Sequence, residues 1–206
     1  MGRVSDAKDR LLEAAITLVW RSSYGAVSVD DICREAGVKK GSFYHFFPGK
    51  NELMAAAFRR LWANHRPNLD RVFSPSVPPI ERLRNFFAQV KGNQKSLHAE
   101  TGCVLGCPFC SIGTELVGPG PDDGGLRAAI QELVRGKLCY LESALRDAMA
   151  EGSIPKGNAP ALAKTLYLYI EGALAQARVQ NDLRLLDDLE ENGLRLIGYQ
   201  PAAVAV

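Results

Sequence analysis

The sequence predicts an all-α fold: a small N-terminal helix-turn-helix domain followed by a larger helical domain. Apolar residues recur with a helical period along almost the whole chain, whereas the alternation typical of strands and the dipeptides typical of hairpins are missing. Glycine and proline residues separate the periodic segments. No apolar run approaches the roughly 18 residues that a membrane span needs.

Three short helices are predicted at the N-terminus. The first runs from about residue 5 to residue 21, where apolar residues recur at helical spacing. The second begins at Ser28, whose hydroxyl can cap the helix while Asp31 completes a capping box, and Gly37 ends it. The third covers about residues 40–47. Two short helices joined by a glycine-containing turn predict a helix-turn-helix.

Longer helices are predicted after this segment. The fourth starts near Lys50 and is expected to bend or end near Pro67. The remaining helices are expected at about 78–96, 108–117, 126–151, 158–180 and 183–198. A Gly/Pro-rich loop at 118–125 separates two of them, and residues 201–206 read as a tail.

Charge and cysteine content restrict the class of protein. Residues 1–60 carry ten Lys and Arg against seven Asp and Glu, although the whole chain has a net charge of only +2. A local basic patch is typical of phosphate binding, but it also fits an ordinary solvated surface. The five cysteines are odd in number, and the N-terminus lacks the apolar stretch of an export signal. We therefore expect reduced thiols and a cytoplasmic protein.

Helical geometry separates two faces on the third helix. On a wheel of about 100° per residue, one face carries three phenylalanines: Phe43, Phe46 and Phe47. Ser42 and His45 point away from that face, and Tyr44 lies on its flank. This arrangement predicts a buried aromatic side and an outer side that can hydrogen-bond to base edges in a major groove.

Residues 28–53 resemble the DNA-binding segment of TetR-family repressors almost position for position. The glycine turn, the aromatic recognition helix and Lys50 at the start of the next helix occur in register, and the resemblance covers roughly residues 5–60. It implies that these residues meet bases or phosphates: Ser28, Lys39, Lys40, Gly41, Ser42, Tyr44, His45 and Lys50. Gly49 departs from the family pattern, which usually has a serine cap there.

The resemblance also implies the domain organisation. We expect a DNA-binding domain at 1–49, a linking helix at 50–66, and an effector-binding and dimerisation domain within 50–200. The family's members are DNA-binding regulators and commonly repressors, so the implied partners are a pseudo-palindromic operator and a small, largely apolar effector. Neither a membrane partner nor a catalytic residue, metal or cofactor is expected.

A second segment, Gly106-Cys107-Pro108, resembles the start of a regulatory-domain helix in one TetR subgroup. In such proteins this helix lines the effector pocket and couples it to the DNA-binding domain. The resemblance places the candidate pocket on apolar and aromatic side chains of the surrounding helices. These candidates are Trp62, Phe86, Phe87, Val90, Phe109, Cys110, Tyr140, Leu141 and Tyr167, together with one polar residue among them, Glu171. Any one of them could equally be ordinary core.

Three cysteines leave an alternative open. Cys103, Cys107 and Cys110 are spaced so that a regulator could use them to sense an oxidant or a soft metal ion. Buried cysteines without function are equally compatible with the spacing. A thiol enzyme is a third reading, but the strand–helix–strand pattern that would support it is missing.

The last two predicted helices have the pattern of an interface. One apolar stripe covers Leu162, Thr165, Leu166, Tyr169, Ile170, Ala173, Leu174, Ala177 and Arg178. The family resemblance implies a homodimer through a four-helix interface formed by these helices. Packing within one chain is the simpler alternative.

Overall fold

The computed structural model describes residues 2–116 and 124–200. Every regular element in these ranges is helical, which confirms the predicted all-α class. The α-helices are α1 Gly2–Arg21, α2 Val29–Ala36, α3 Lys40–Phe46, α4 Lys50–Val72, α5 Pro79–Thr101, α6 Pro108–Glu115, α7 Leu126–Ala150, α8 Ala159–Gln180 and α9 Leu189–Leu196. Within the same ranges, none of these helices combines the length and apolarity that crossing a bilayer requires.

Several helices differ from their predicted bounds; α5, for example, continues to Thr101, past the predicted end at about residue 96. Helix α4 continues through Pro67 to Val72. Because Pro67 has no N–H, the carbonyl of Ala63 loses its helical hydrogen bond. Both residues are exposed to solvent, so the helix tolerates this loss. The predicted helix at 183–198 is divided into a 3₁₀ helix, Leu183–Leu186, and α9. Most of the expected 118–125 loop and the 201–206 tail lie outside the described residues.

The chain divides into two compact units. The first comprises Met1–His65 and Cys107–Val134, and the second comprises Arg66–Gly106 and Arg135–Val206. Helix α6 and the start of α7 group with the N-terminal helices. Helices α4 and α7 therefore each contribute residues to both units. The functional boundary expected at residues 49 and 50 stays a prediction.

The first unit is built around the buried faces of α1 to α4. Phe43 has no exposed surface, and Phe58 makes an edge-on ring contact with Phe109 of α6 at 4.8 Å between centroids. Gly37 adopts a left-handed conformation (φ 60°) that ends α2, and its N–H bonds the Arg34 carbonyl. The tight turn that a helix-turn-helix needs is thus made where the sequence has glycine.

The second unit is organised by buried polar contacts as well as apolar packing. The side chain of Gln94 bonds the backbone of Gly106 twice, accepting from its N–H (2.9 Å) and donating to its carbonyl (3.1 Å). Arg82 is buried and paired with Asp147 of α7. These bonds fix α5 against the 102–106 segment and α7.

Candidate DNA-binding surface and effector site

The outer face of α3 is open to solvent. Lys39, Lys40, Gly41, Ser42 and His45 are exposed, and the Tyr44 side chain is 53% exposed. On the opposite face Phe43 and Phe47 are buried and Phe46 is half-buried. The wheel prediction of the two faces is confirmed.

On this face, Lys40 lies close to a carboxylate. Its Nζ lies 2.8 Å from Asp30 Oδ1 of α2, and this hydrogen bond raises the pKa of the lysine. The ammonium therefore stays protonated, and a phosphate that binds it has to compete with Asp30.

Ser28 forms the predicted capping box with Asp31. Its Oγ accepts from the Asp31 N–H at 3.1 Å, while the Ser28 N–H and hydroxyl both donate to Asp31 Oδ2, at 3.0 and 2.6 Å. These bonds lower the pKa of the Asp31 carboxyl. Both Ser28 donors are thus engaged within the chain, and their contact with a phosphate stays a prediction.

Lys50 points into the turn that joins α1 to α2, residues 24–28, hereafter the α1–α2 turn. Its Nζ donates to the carbonyls of Tyr24 (2.7 Å) and Val27 (2.9 Å) and lies 4.1 Å from the centre of the Tyr24 ring. Burial lowers the pKa of this lysine. The sequence predicts a phosphate contact for Lys50, and the structure gives it a role in holding the turn; the phosphate contact stays a prediction.

Glu115, at the end of α6, holds the same turn from its amide side. Its two carboxylate oxygens accept the N–H groups of Tyr24 (2.9 Å) and Gly25 (2.8 Å). The α1–α2 turn is therefore bonded at its carbonyls by Lys50 and at its amides by Glu115. No local pattern in the sequence indicates the contact of Glu115 with the turn, since about 90 residues separate the two.

Family models match both parts of the chain. Residues 11–57 match the model described as bacterial regulatory proteins, tetR family. Residues 79–191 match the model described as tetracyclin repressor-like, C-terminal domain. The chain belongs to the TetR family.

Individual TetR-family proteins resemble the chain over most of its length. It is 30% identical to the transcriptional regulator AcuR of Cereibacter sphaeroides, over 84% of this chain and 77% of that protein. The Escherichia coli HTH-type transcriptional repressor NemR is 24% identical, over 89% of each chain. A crystal structure of a regulatory protein TetR from Rhodobacter sphaeroides superposes with a TM-score of 0.80 at 28% identity, over 92% and 98% of the two chains. This TetR-family chain is therefore a DNA-binding transcriptional regulator and not an enzyme.

The candidate pocket residues fall into both units of this TetR-family regulator. Trp62, Phe109 and Cys110 belong to the first unit; the others belong to the second. In the second unit, Phe73 contacts the rings of Phe86 and Tyr140, each at 5.4 Å between centroids. Phe73 was not among the predicted residues, although it is an aromatic at the end of α4.

Two of the predicted pocket residues pack as core. A Cβ added at Gly193 of α9 would lie 2.3 Å from Cζ of Phe87, so that ring fills the space beside the glycine. Leu141 has no exposed surface. Val90 is half-buried. The Phe87 ring therefore packs against Gly193 of α9, and its position needs no ligand to explain it.

A carboxylate lies inside the second unit. Glu171 of α8 is 7% exposed, and its Oε1 lies 3.9 Å from Nζ of Lys137 on α7. The same ammonium lies 5.9 Å from the centre of the Tyr167 ring. Two of the predicted pocket residues, Tyr167 and Glu171, thus share Lys137 as a neighbour.

The three cysteines of the alternative reading differ in exposure. Cys103 is exposed, Cys107 is buried and Cys110 is half-buried. Across residues 2–116 and 124–200, no three histidine, cysteine or carboxylate side chains come together as a metal site requires. The described structure thus gives the soft-metal reading no set of ligands.

Helix α8 has a buried and an exposed face. Leu166, Ile170, Leu174 and Ala177 of the predicted stripe are buried within the second unit. The exposed face carries large and small apolar residues, namely Ala161, Leu168 (59% exposed), Gly172, Ala175 and Val179 (78% exposed). The predicted stripe thus contains core residues, and the apolar surface open to a partner is the opposite face.

Proposed function

We propose that this regulator is a repressor whose exposed α3 face reads operator DNA, and that a small, largely apolar effector releases it. The observation that carries the proposal is the outer face of α3, where Ser42 and His45 are exposed above buried phenylalanines. A second helix of a helix-turn-helix presents such a face to the major groove. NemR, one of the relatives, is named as a repressor.

The α3 face divides into residues for bases and residues for the phosphate backbone. Ser42 and His45 reach base edges, and Gly41, which has no heavy atom within 4 Å of an added Cβ, leaves room for the DNA backbone. Lys39 and Lys40 contribute charge, and Tyr44 on the flank bonds a phosphate. Ser28 and Lys50 bind phosphate only if they exchange their present partners.

The exposed apolar face of α8 supports a homodimer through the last two helices. Leu168 and Val179 are large exposed apolar side chains, and Gly172 and Ala175 allow a partner helix to approach closely. A two-fold axis through such a face makes an isologous interface. Two recognition helices then meet successive major grooves about one helical turn apart on a pseudo-palindromic site.

Release follows if the effector binds better to a dimer geometry that does not fit the operator. The proposed effector site lies in the second unit near Tyr140, Tyr167 and Glu171. Helices α4 and α7 each continue from one unit into the other. A displacement along either helix therefore has a covalent path to the elements that hold the α1–α2 turn.

Operator binding tests the proposal. The full chain selects sites from a random duplex pool, and gel shifts over a salt series then compare variants. We expect Tyr44→Ala to weaken binding to all sequences and to flatten the salt dependence. His45→Ala should instead relax the base preference at the selected site by about 1–3 kcal/mol. Arg146→Ala, which removes an exposed arginine of the second unit, is the control. Unchanged affinity and preference in both α3 variants would refute the proposal.

Thiol sensing through Cys103, Cys107 and Cys110 is the second candidate. The exposed Cys103 thiol is its strongest support. If it holds, hydrogen peroxide releases DNA from the wild type and not from Cys103→Ser or Cys107→Ser. We rank it below the effector proposal because Cys107 is buried.

A further inference from the structure

The Glu171 carboxylate is buried, and one of its oxygens has no hydrogen-bond donor among the described residues. Its Oε1 faces Lys137 at 3.9 Å, which is longer than a hydrogen bond, and no donor among the described residues reaches its buried Oε2. Buried polar atoms are hydrogen-bonded in the great majority of cases, and each exception calls for an explanation. A missing ligand donor is one such explanation.

Contacts near their C-terminal ends connect α5 and α8. Gln94 of α5 bonds Gly106, and a Cβ added at Gly106 would lie 3.2 Å from the Leu174 carbonyl of α8. Past the ends of both helices, Asn181 Nδ2 donates to the Gly102 carbonyl at 3.3 Å.

The second unit contains a further buried acceptor without a donor. The Oε1 of Gln89 on α5 is buried and has no donor among the described residues. One helical turn before Gln89, Phe86 takes part in the ring cluster with Phe73. Two buried acceptors without donors, in a unit that also contains an aromatic cluster, indicate a ligand that brings a donor and an apolar body.

We propose that the effector is a small aromatic or aliphatic alcohol whose hydroxyl donates a hydrogen bond to Oε2 of Glu171. This inference depends on the proposed effector site. An anionic ligand is disfavoured because it would face the buried Glu171 carboxylate. A cationic ligand is disfavoured because Lys137 already balances the charge of Glu171, and a further buried cation would lack a partner. A neutral hydroxyl supplies the donor without adding charge.

Four probes of similar shape test the ligand class. Isothermal titration of the full chain, without DNA, compares para-ethylphenol with its methyl ether, with para-ethylbenzoate and with para-ethylbenzylamine. We expect the phenol to bind at least about tenfold more tightly than the ether, which cannot donate. Tighter binding of the amine or of the benzoate would overturn the alcohol class, as would equal binding of all four or no binding of any.

Variants of Glu171 test the residue. Glu171→Met removes both acceptor oxygens, so the preference of the protein for phenol over ether should disappear. Glu142→Met is the matched control, because that α7 carboxylate is already bonded by Arg146, and it should keep the preference. A preference that survives in Glu171→Met would overturn the assignment.

Thermal stability gives a second readout of the same contact. Glu171→Met removes the carboxylate beside Lys137, so it should lower the melting temperature of the unliganded protein. The phenol should raise the melting temperature of the wild type and should not raise that of Glu171→Met. Equal stabilisation of the two proteins by the phenol would overturn the proposal. Operator binding of the same variant, measured by gel shift, separates this result from a failure of the repressor proposal.

Discussion

Helix α3 and the α1–α2 turn are neighbours in the first unit, but they are held in different ways. The outer side chains of α3 are exposed, and among them Lys40 has the ion pair with Asp30. The α1–α2 turn has its carbonyls bonded by Lys50 of α4 and its amides bonded by Glu115 of α6. An outer side chain of α3 can therefore change without disturbing the fold, whereas the turn depends on distant parts of the chain.

The difference matters for a DNA reader. Side chains that contact bases have to vary between proteins with different operators, so an exposed face is suited to them. The turn that precedes α2 is fixed by charge-assisted bonds, which are stronger than neutral ones. Under the proposed function, recognition by α3 and support of the turn depend on different residues, and substitutions can separate them.

The largest effect is expected inside α3. Phe43 is fully buried, so Phe43→Ala should lower the free energy of unfolding by about 3–5 kcal/mol, which is typical when an aromatic side chain is removed from a core. Chemical denaturation followed by circular dichroism measures the loss. His45→Ala, two positions away on the exposed face, is the control and should change stability by less than about 0.5 kcal/mol. Equal losses in the two variants would contradict the two-faced description of α3.

The contrast between α3 and the turn also separates the features that could be predicted from the sequence from those that could not. The faces of α3, the Ser28 cap and the Gly37 turn were predicted because each depends on residues within one or two helical turns. The contacts of Lys50 with Tyr24 and Val27 could not be predicted in this way, because these residues lie more than 20 positions earlier in the chain. From the sequence, Lys50 was expected only to bind a phosphate.

The second unit shows the same limit. The pattern of α8 indicated an apolar stripe but could not assign its faces, so Leu166 and Ile170, predicted at the interface, are core. Glu171 was singled out as a polar residue among apolar ones, which proved to be a buried position. Whether Oε2 of Glu171 finds a hydrogen-bond donor depends on the packing of residues that are distant in the chain, so no spacing in the sequence predicts that it has none.

Lys50 is expected to produce the second largest effect. In Lys50→Met the carbonyls of Tyr24 and Val27 lose an ionic donor in a partly buried place, so the free energy of unfolding should fall by about 2 kcal/mol. Lys39→Met removes an exposed lysine at the start of α3 and should weaken DNA binding without a comparable loss of stability. If both variants unfold alike and both lose only DNA affinity, Lys50 acts as a phosphate ligand and not as a support of the turn.

The smallest effect is expected at Glu115. Glu115→Gln leaves one oxygen to accept from the turn, so one of the N–H groups of Tyr24 and Gly25 loses its partner. Because these groups are exposed, water compensates in part, and stability should fall by only about 1 kcal/mol, as for a lost helix cap. Faster hydrogen exchange confined to the α1–α2 turn should accompany this small loss. Glu132→Gln, an exposed carboxylate on the part of α7 in the same unit, is the control. Unchanged exchange at Tyr24 and Gly25 would mean that Lys50 alone holds the turn and that α6 contributes nothing to it.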